Sequence, residues 1–164
     1  MKTRIGFYGA GDIADLHFAG IEDCSGAELV GLFDIDNSKS KKKSEEYGCV
    51  SYNSSESMLS DSSIDAVFIL TPFEEHRECA INALKAGKHV LLEKPVSSKV
   101  DEIAEIRDLA KQTGKLCVPV HNYLYEDSVI RTKQLLDSGK LGDLVAIYIL
   151  YNICLSYTSD AADE

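Results

Sequence analysis

The stretch RIGFYGAGDIA, residues 4–14, decides the fold. Its apolar first half predicts a buried strand that leads directly into a G-x-G-x-x-A string. In that string Gly9 permits a tight turn, Gly11 lets a pyrophosphate approach the backbone, and Ala14 keeps the following helix close to the sheet. Phosphates would lie at the helix N-terminus, where free N–H groups favour negative charge. The stretch predicts a dinucleotide site, although a glycine turn without a ligand remains an alternative.

Outward from this stretch, short apolar runs alternate with helical patterns. The predicted strands are Arg4–Tyr8, Glu28–Phe33, Ala66–Leu70, His89–Leu92 and Leu116–Val120, with a weaker candidate at Cys49–Tyr52. The predicted helices are Asp12–Ile21, Ser38–Tyr47, Ser54–Leu59, Glu74–Ala86, Lys99–Gln112 and Ser128–Asp137. In the first helix, the apolar positions are Ile13, Leu16 and Ala19. Strict alternation of strand and helix predicts an α/β fold, a doubly wound parallel sheet covered on both faces.

Composition excludes several classes of protein. The 164 residues carry 17 basic and 27 acidic side chains, a net charge of −10, which argues against nucleic-acid binding. No apolar run approaches the length of a membrane span, and the start of the chain does not resemble a signal peptide. The five cysteines have no metal-ligand spacing and are expected to be buried free thiols in a reducing compartment. We therefore expect a cytoplasmic protein with neither a metal site nor a membrane partner.

Asp34 is the candidate for binding the adenosine ribose. It follows the second predicted strand, near the offset expected for the acid that accepts the ribose hydroxyls. A carboxylate there repels a 2′-phosphate and favours NAD, although NADP remains possible. Asp36 competes for the role but is better placed to cap the next helix. The lysines that follow could reach a phosphate or could line a solvated helix face; they are Lys39, Lys41, Lys42 and Lys43.

Two further motifs follow predicted strands at the edge where open α/β sheets bind ligands. Thr71-Pro72 has His76 one helical turn later, but its spacing alone favours a turn in which Thr71 caps the helix. Glu93-Lys94-Pro95 places a lysine where it can hydrogen-bond a substrate oxygen and stabilise developing charge. From the residues alone, a surface pair between Glu93 and Lys94 is the favoured interpretation.

The alternating strand and helix pattern is not continued near the end of the chain. Leu144–Ile153 is an apolar run that could open a second sheet. Cys154–Glu164 has no helical or strand period and matches, except at Ser156, the translation of a transposon-based sequencing adapter. We expect residues 154–164 to be a non-native or disordered tail and the remainder to be part of a longer protein.

In order along the chain, the motifs are GAGDIA, a strand ending in Asp34, IDAVFILTP (64–72), ALKAGKHVLLEKP (83–95) and LLDSGKLG (135–142). Together they resemble the glucose–fructose oxidoreductase / inositol dehydrogenase / MocA family over residues 3 to about 153. The resemblance implies a Rossmann domain at 1–122 and the start of a truncated substrate domain at 123–153. It also implies a cis Lys94–Pro95 bond and a homo-oligomeric full-length parent. Phe73 departs from the family, whose members commonly have asparagine there.

The resemblance implies roles for individual residues. The cofactor would be bound by Gly9, Ala10, Gly11, Asp12, Ile13, Asp34, Thr71, Pro72, His76, Glu93, Lys94 and Asn122. Lys94 would also be the catalytic residue. The implied activity is that of an NAD(P)-dependent oxidoreductase on a sugar, cyclitol or related polyol, with hydride passing between a carbinol carbon and nicotinamide. This chain would bind nucleotide without turnover. Alternatives are an NAD-dependent glycosidase of the same superfamily and a non-catalytic NAD-sensing module.

Overall fold

A computed structural model describes residues 2–150, and its central feature is a parallel sheet of six strands. The strands are β1 (Thr3–Tyr8), β2 (Ala27–Phe33), β3 (Val50–Ser51), β4 (Ala66–Ile69), β5 (His89–Leu92) and β6 (Cys117–Pro119). Their order is β3-β2-β1-β4-β5-β6, and every neighbouring pair is parallel. This is the strand order of doubly wound dinucleotide-binding folds, so the predicted fold class is confirmed.

The helices are α1 (Ile13–Glu22), α2 (Asn37–Tyr47), α3 (Ser55–Ser60), α4 (His76–Lys85), α5 (Val100–Thr113) and α6 (Asp127–Asp137). Short 3-10 turns lie at Phe73–Glu75 and Asn122–Tyr125. The start of α2 is capped by Asp36, whose carboxylate accepts hydrogen bonds from the Ser38 and Lys39 backbone N–H groups, as predicted. Helices α2 and α5 end at Gly48 and Gly114, both in the left-handed conformation that glycine adopts most readily.

The sheet is buried on both faces. Along β4, Val67 and Ile69 belong to the hydrophobic cluster that contains the buried side chains of α3, α4 and α5. Phe68 of β4 and Leu70, which follows the strand, belong to the cluster on the α1 side. This explains why β4 appears in the sequence as an unbroken apolar run rather than an alternating one.

The orientation of α1 differs from the sequence prediction. Ile13 and Leu16 are 38% and 71% exposed, so they do not form the buried face. The face toward the sheet instead has the spacing i, i+3, i+4, i+7 and consists of Ala14, His17, Phe18 and Ile21. The pattern was missed because its second position is a histidine, which an apolar count passes over.

The chain divides into two units, residues 1–121 and residues 122 onward. In the second unit, the structure describes a 3-10 turn, α6 and residues 138–150. Residues 144–150 of the predicted strand lie in neither helix nor strand, because no strand in residues 2–150 pairs with their backbone groups. The remainder of that run and the predicted tail at 154–164 lie outside the described residues.

The cysteines differ in exposure. Cys79 is buried as expected, Cys49 and Cys117 are partly buried, and Cys24 is exposed, so the expectation of uniformly buried thiols is wrong at Cys24. All four are free, whereas Cys154 lies outside the described residues. Within residues 2–150, no helix has the length and apolar character needed to cross a membrane.

Candidate functional site

A cleft of about 550 Å³ opens at the carboxyl edge of the sheet. It lies where the strand order reverses between β1 and β4, which is the position at which open α/β sheets bind ligands. Its lining comes from the ends of β1, β2 and β4 and from the start of the following helices: Tyr8, Gly9, Gly11, Asp34, Ile35, Asp36, Lys39, Leu70, Thr71, Pro72, Glu75 and Cys79. The fold therefore brings together Gly9, Gly11, Asp34, Thr71 and Pro72 from the predicted set.

Glycine is needed at Gly9 and Gly11 for different physical reasons. Gly9 has a φ of +113°, and a Cβ there would lie 2.9 Å from the backbone of Leu70, so the packing of β1 against β4 requires it. At Gly11 a Cβ would meet no protein atom within 4 Å, although the residue lines the cleft. Protein packing does not require glycine at this position, whereas a pyrophosphate lying against the backbone does. The loop geometry thus fits the group that the sequence predicts.

Asp34 braces the glycine loop. One carboxylate oxygen accepts a hydrogen bond from the Ala10 backbone N–H at 2.7 Å, and the other accepts from the Asp36 N–H at 2.8 Å. Each carboxylate oxygen has a further lone pair, so the side chain can still accept hydrogen bonds from a ribose. Ala10 itself is 3% exposed and its N–H is already bound to Asp34, so its role in cofactor binding stays a prediction.

Acidic side chains dominate the rim of the cleft. Asp34, Asp36 and Glu75 line it, against the single ammonium of Lys39. Of the other lysines in the run, Lys43 forms an ion pair with the Asp15 carboxylate on α1 and so stabilises helix packing. Lys39 is therefore the lysine of that run best placed to meet a 2′-phosphate on the ribose. The three carboxylates of the lining would repel such a phosphate.

The Thr71-Pro72 turn closes the other side of the cleft. Thr71 makes no helix cap, so the capping interpretation is wrong; its Oγ1 is buried, and within residues 2–150 only the Cys79 thiol interacts with it, too weakly to form a full hydrogen bond. A thiol is a weak hydrogen-bonding group, so it leaves the buried hydroxyl poorly satisfied, which fits a polar ligand in the cleft. Beside it, burial raises the pKa of Tyr8 to about 12 and also raises the pKa of the Cys79 thiol, so both stay neutral near pH 7.

His76 lies behind the cleft rather than in it. It is 1% exposed, and its two ring nitrogens approach two backbone carbonyls, Nδ1 at 2.8 Å from Pro95 O and Nε2 at 3.0 Å from Thr71 O. The ring therefore links the Thr71-Pro72 turn to the loop after β5. In that loop the Lys94–Pro95 bond is cis, as the family resemblance implied.

Glu93 and Lys94 do not form the surface pair that the residues alone favoured. The Glu93 side chain is 12% exposed, and its Oε1 accepts a hydrogen bond from His17 Nε2 at 2.7 Å. Its Oε2 accepts from the Lys94 backbone N–H at 2.8 Å. Lys94 is exposed, and its Nζ has no ion pair or hydrogen bond within residues 2–150. Since β4 and β5 are parallel neighbours, this free ammonium lies at the same sheet edge as the glycine loop.

The remaining predicted residues do not line the cleft. Asp12 and Ile13 are exposed at the start of α1, where the Ala14 and Asp15 N–H groups already donate to the Gly11 and Asp12 carbonyls; the roles of Asp12 and Ile13 stay predictions. Asn122 begins the 3-10 turn of the second unit, and its role stays a prediction. Sequence reasoning missed several lining residues, namely Tyr8, Ile35, Glu75 and Cys79. Their positions one or two residues, or one helical turn, from the recognised motifs were the only available signal.

Known proteins share this architecture. A dTDP-3,4-didehydro-2,6-dideoxy-alpha-D-glucose 3-reductase from Streptomyces violaceoruber is 28% identical over 92% of this chain and 44% of its own length. A glucose-6-phosphate 3-dehydrogenase from Bacillus subtilis is 30% identical over 89% of this chain and 41% of its own length. The chain thus spans less than half the length of these curated relatives.

Solved structures show the same fold. The WlbA dehydrogenase from Chromobacterium violaceum, crystallised with NADH and UDP-GlcNAcA, superposes with a TM-score of 0.80 at 28% identity, over 86% of this chain and 41% of that one. A family model described as "Oxidoreductase family, NAD-binding Rossmann fold" matches residues 3–121. The chain therefore belongs to this oxidoreductase family, that of glucose–fructose oxidoreductase, inositol dehydrogenase and MocA, and contributes its NAD(P)-binding Rossmann domain.

Proposed function

We propose that this chain is the nucleotide-binding part of a longer NAD(P)-dependent oxidoreductase that acts on a sugar, cyclitol or related polyol. The nicotinamide ring, when bound, supplies the hydride acceptor or donor for a carbinol carbon. The residues described above bind and orient that group, whereas most substrate contacts belong to the part of the protein beyond this chain. On its own the chain binds nucleotide and does not turn over substrate.

The observation that carries the proposal is the free ammonium of Lys94. It stands at the carboxyl end of β5, next to the strand whose end borders the nucleotide cleft, and no protein group neutralises it within residues 2–150. A cation in this position donates a hydrogen bond to the reacting oxygen of a substrate and stabilises negative charge that develops on it. We assign that role to Lys94 as the catalytic residue of this chain.

The charges of the cleft favour NAD over NADP. Asp34 ends the strand beside the glycine loop, where its free lone pairs can accept the two adenosine ribose hydroxyls. A 2′-phosphate there would be repelled by Asp34, Asp36 and Glu75, and among the lining residues Lys39 alone would offset this repulsion. At an effective dielectric constant of 20, two unit charges 4 Å apart repel by about 4 kcal/mol, which is enough to outweigh one exposed lysine.

Titration of the 164-residue chain with NADH and NADPH, followed by nicotinamide fluorescence, tests the cofactor part. We expect saturable binding of NADH and at least about tenfold weaker binding of NADPH, a difference of roughly 1.4 kcal/mol. Absence of any response to millimolar NADH would exclude the proposal. Equal affinities would exclude the preference for NAD while leaving the nucleotide site.

The catalytic part requires the longer protein. We expect Lys94→Met to reduce kcat for polyol oxidation by about 10²–10³-fold, the loss typical of removing one group that stabilises developing charge. Lys94→Arg, which keeps the charge with a different shape, should retain more activity than Lys94→Met. Glycoside cleavage without net change in NADH would instead identify the NAD-dependent glycosidase.

A further inference from the structure

The Glu93 carboxylate connects α1 to the backbone of Lys94. One oxygen accepts from His17 Nε2 at 2.7 Å, and the other accepts from the Lys94 N–H at 2.8 Å. The side chains of His17 and Glu93 are 17% and 12% exposed, so the pair is largely removed from water. A carboxylate in such surroundings requires donors, and His17 is the side chain that supplies one in addition to the Lys94 N–H.

The position of His17 is determined by helix packing. It lies on the buried face of α1, three residues after Ala14, and its ring contacts the Phe68 ring of β4 with centroids 4.2 Å apart. The imidazole therefore has little freedom, and its Nε2 projects across the sheet edge to β5. This rigidity fixes the Glu93 carboxylate as well.

Without His17, the closest competing cation along the chain is the Lys94 ammonium. Adjacent residues of opposite charge do pair in this protein, since Arg107 and Asp108 are joined at 2.8 Å. The Glu93 carboxylate could pair with Lys94 Nζ in the same way if it were not already bound. His17 thus decides whether Lys94 is paired or free.

We propose that His17 is a positioning residue: by binding Glu93 it holds this carboxylate away from Lys94 Nζ and leaves the ammonium available to a substrate oxygen. The inference rests on the proposed function of Lys94. The loop is also held from its other side, because His76 Nδ1 lies 2.8 Å from Pro95 O. The backbone of Lys94 is therefore fixed between two histidines, one on α1 and one on α4.

The test is the rate at which Lys94 Nζ reacts with a trace acylating reagent, measured by mass spectrometry on the 164-residue chain without nucleotide. His17→Leu keeps a side chain against Phe68 but removes the donor, so Glu93 turns to Lys94. We expect labelling of Lys94 to slow by about twofold to fivefold, the range of an exposed ion pair. His17→Gln, whose amide nitrogen can replace Nε2, should restore the wild-type rate.

A double variant shows whether the effect passes through the carboxylate. In His17→Leu combined with Glu93→Gln, no carboxylate remains to pair with Lys94, and labelling should return to the wild-type rate. The matched control is His89→Gln at the opposite edge of the sheet, where His89 Nδ1 accepts from the Leu116 N–H at 3.1 Å. This change should leave labelling of Lys94 unaltered. Wild-type labelling in His17→Leu, or slow labelling that persists in the double variant, would overturn the proposal.

If His17→Leu does not fold, as judged by circular dichroism, the labelling rate of Lys94 in Glu93→Gln tests the proposal instead. We expect no change in the labelling rate, because Nζ is already free; an increase of more than about twofold would mean that the pair exists despite His17 and would overturn the proposal. Labelling needs no nucleotide, so its outcome is separate from NADH titration of the same samples. Slowed labelling in His17→Leu without NADH binding by the wild type would refute the proposed function and not the contact.

Discussion

Alanine at the two loop glycines is predicted to act on different properties of the protein. At Gly9 the φ angle is +113°, and the new Cβ would lie 2.9 Å from the carbonyl carbon and oxygen of Leu70, where ordinary contact begins at 3.4 Å. Strain at a positive φ costs about 1–3 kcal/mol, and forcing apart packed backbones costs a similar amount. We expect Gly9→Ala to lower the free energy of unfolding by about 2–5 kcal/mol, a large part of the stability of a small domain.

Gly11 provides the matched control. Its φ is not positive, and a Cβ would meet no protein atom within 4 Å, so Gly11→Ala should change the free energy of unfolding by less than about 1 kcal/mol. The same Cβ would occupy the space that a pyrophosphate needs against the backbone. We expect its NADH affinity to fall by at least about tenfold, or roughly 1.4 kcal/mol.

Urea unfolding followed by circular dichroism measures the stability of both variants, and nicotinamide fluorescence measures NADH binding. We expect the two variants to differ clearly: Gly9→Ala is unstable, whereas Gly11→Ala is stable and binds NADH poorly. Wild-type stability in Gly9→Ala would refute the close approach of β1 and β4. NADH affinity within threefold of wild type in Gly11→Ala would refute the passage of the pyrophosphate over this residue.

Three further predictions concern charged side chains. Asp34→Ala removes the expected ribose acceptor and the hydrogen bond to the glycine loop. NADH affinity should therefore fall by about tenfold, and the ratio of NADPH affinity to NADH affinity should rise; competitive titration measures both. Lys88 is 7% exposed and donates to two loop carbonyls at 2.6 and 2.8 Å; Lys88→Met should cost about 2–4 kcal/mol in urea unfolding, and an unchanged midpoint would contradict this. The Arg4 guanidinium holds the pKa of Asp65 below its usual value, so the pair stabilises the fold above the unfolded pKa and loses this contribution as the pH falls through the folded one. The difference in free energy of unfolding between Asp65→Asn and wild type should therefore be full at pH 7 and begin to shrink only as the pH falls below about 4, the unfolded pKa; a difference that is independent of pH would refute the assignment.

The strand pattern was predictable because its cause is local. Residues such as those of β4 are buried on both faces, because a parallel sheet covered by helices leaves its central strands mostly apolar. The glycine string and Asp34 were predictable for a similar reason, since their chemistry depends on fixed spacing around one turn. The Gly9, Gly11, Asp34 and Thr71-Pro72 positions accordingly lie together at the cleft.

The interpretations that failed depend on partners distant in the chain. Thr71 was expected to cap a helix, but the backbone after Pro72 starts as a 3-10 turn and leaves its hydroxyl buried beside the Cys79 thiol. Glu93 was expected at the surface with Lys94, but α1 covers it and supplies His17 as its donor. The His76 ring lies between two backbone carbonyls, and its expected role at the cofactor stays a prediction.

The sequence by itself determined the fold class, the glycine loop and the family, because each is encoded in periodicity or in motifs of adjacent residues. Tertiary structure alone decided which face of α1 is buried, and with it the contact between His17 and Glu93 across 76 positions of the chain. Such a contact leaves no local pattern, since it depends on how a helix packs on a sheet rather than on the residues beside it. The position of Lys94 at the sheet edge was therefore predictable from a motif, whereas the freedom of its ammonium depends on how the fold packs.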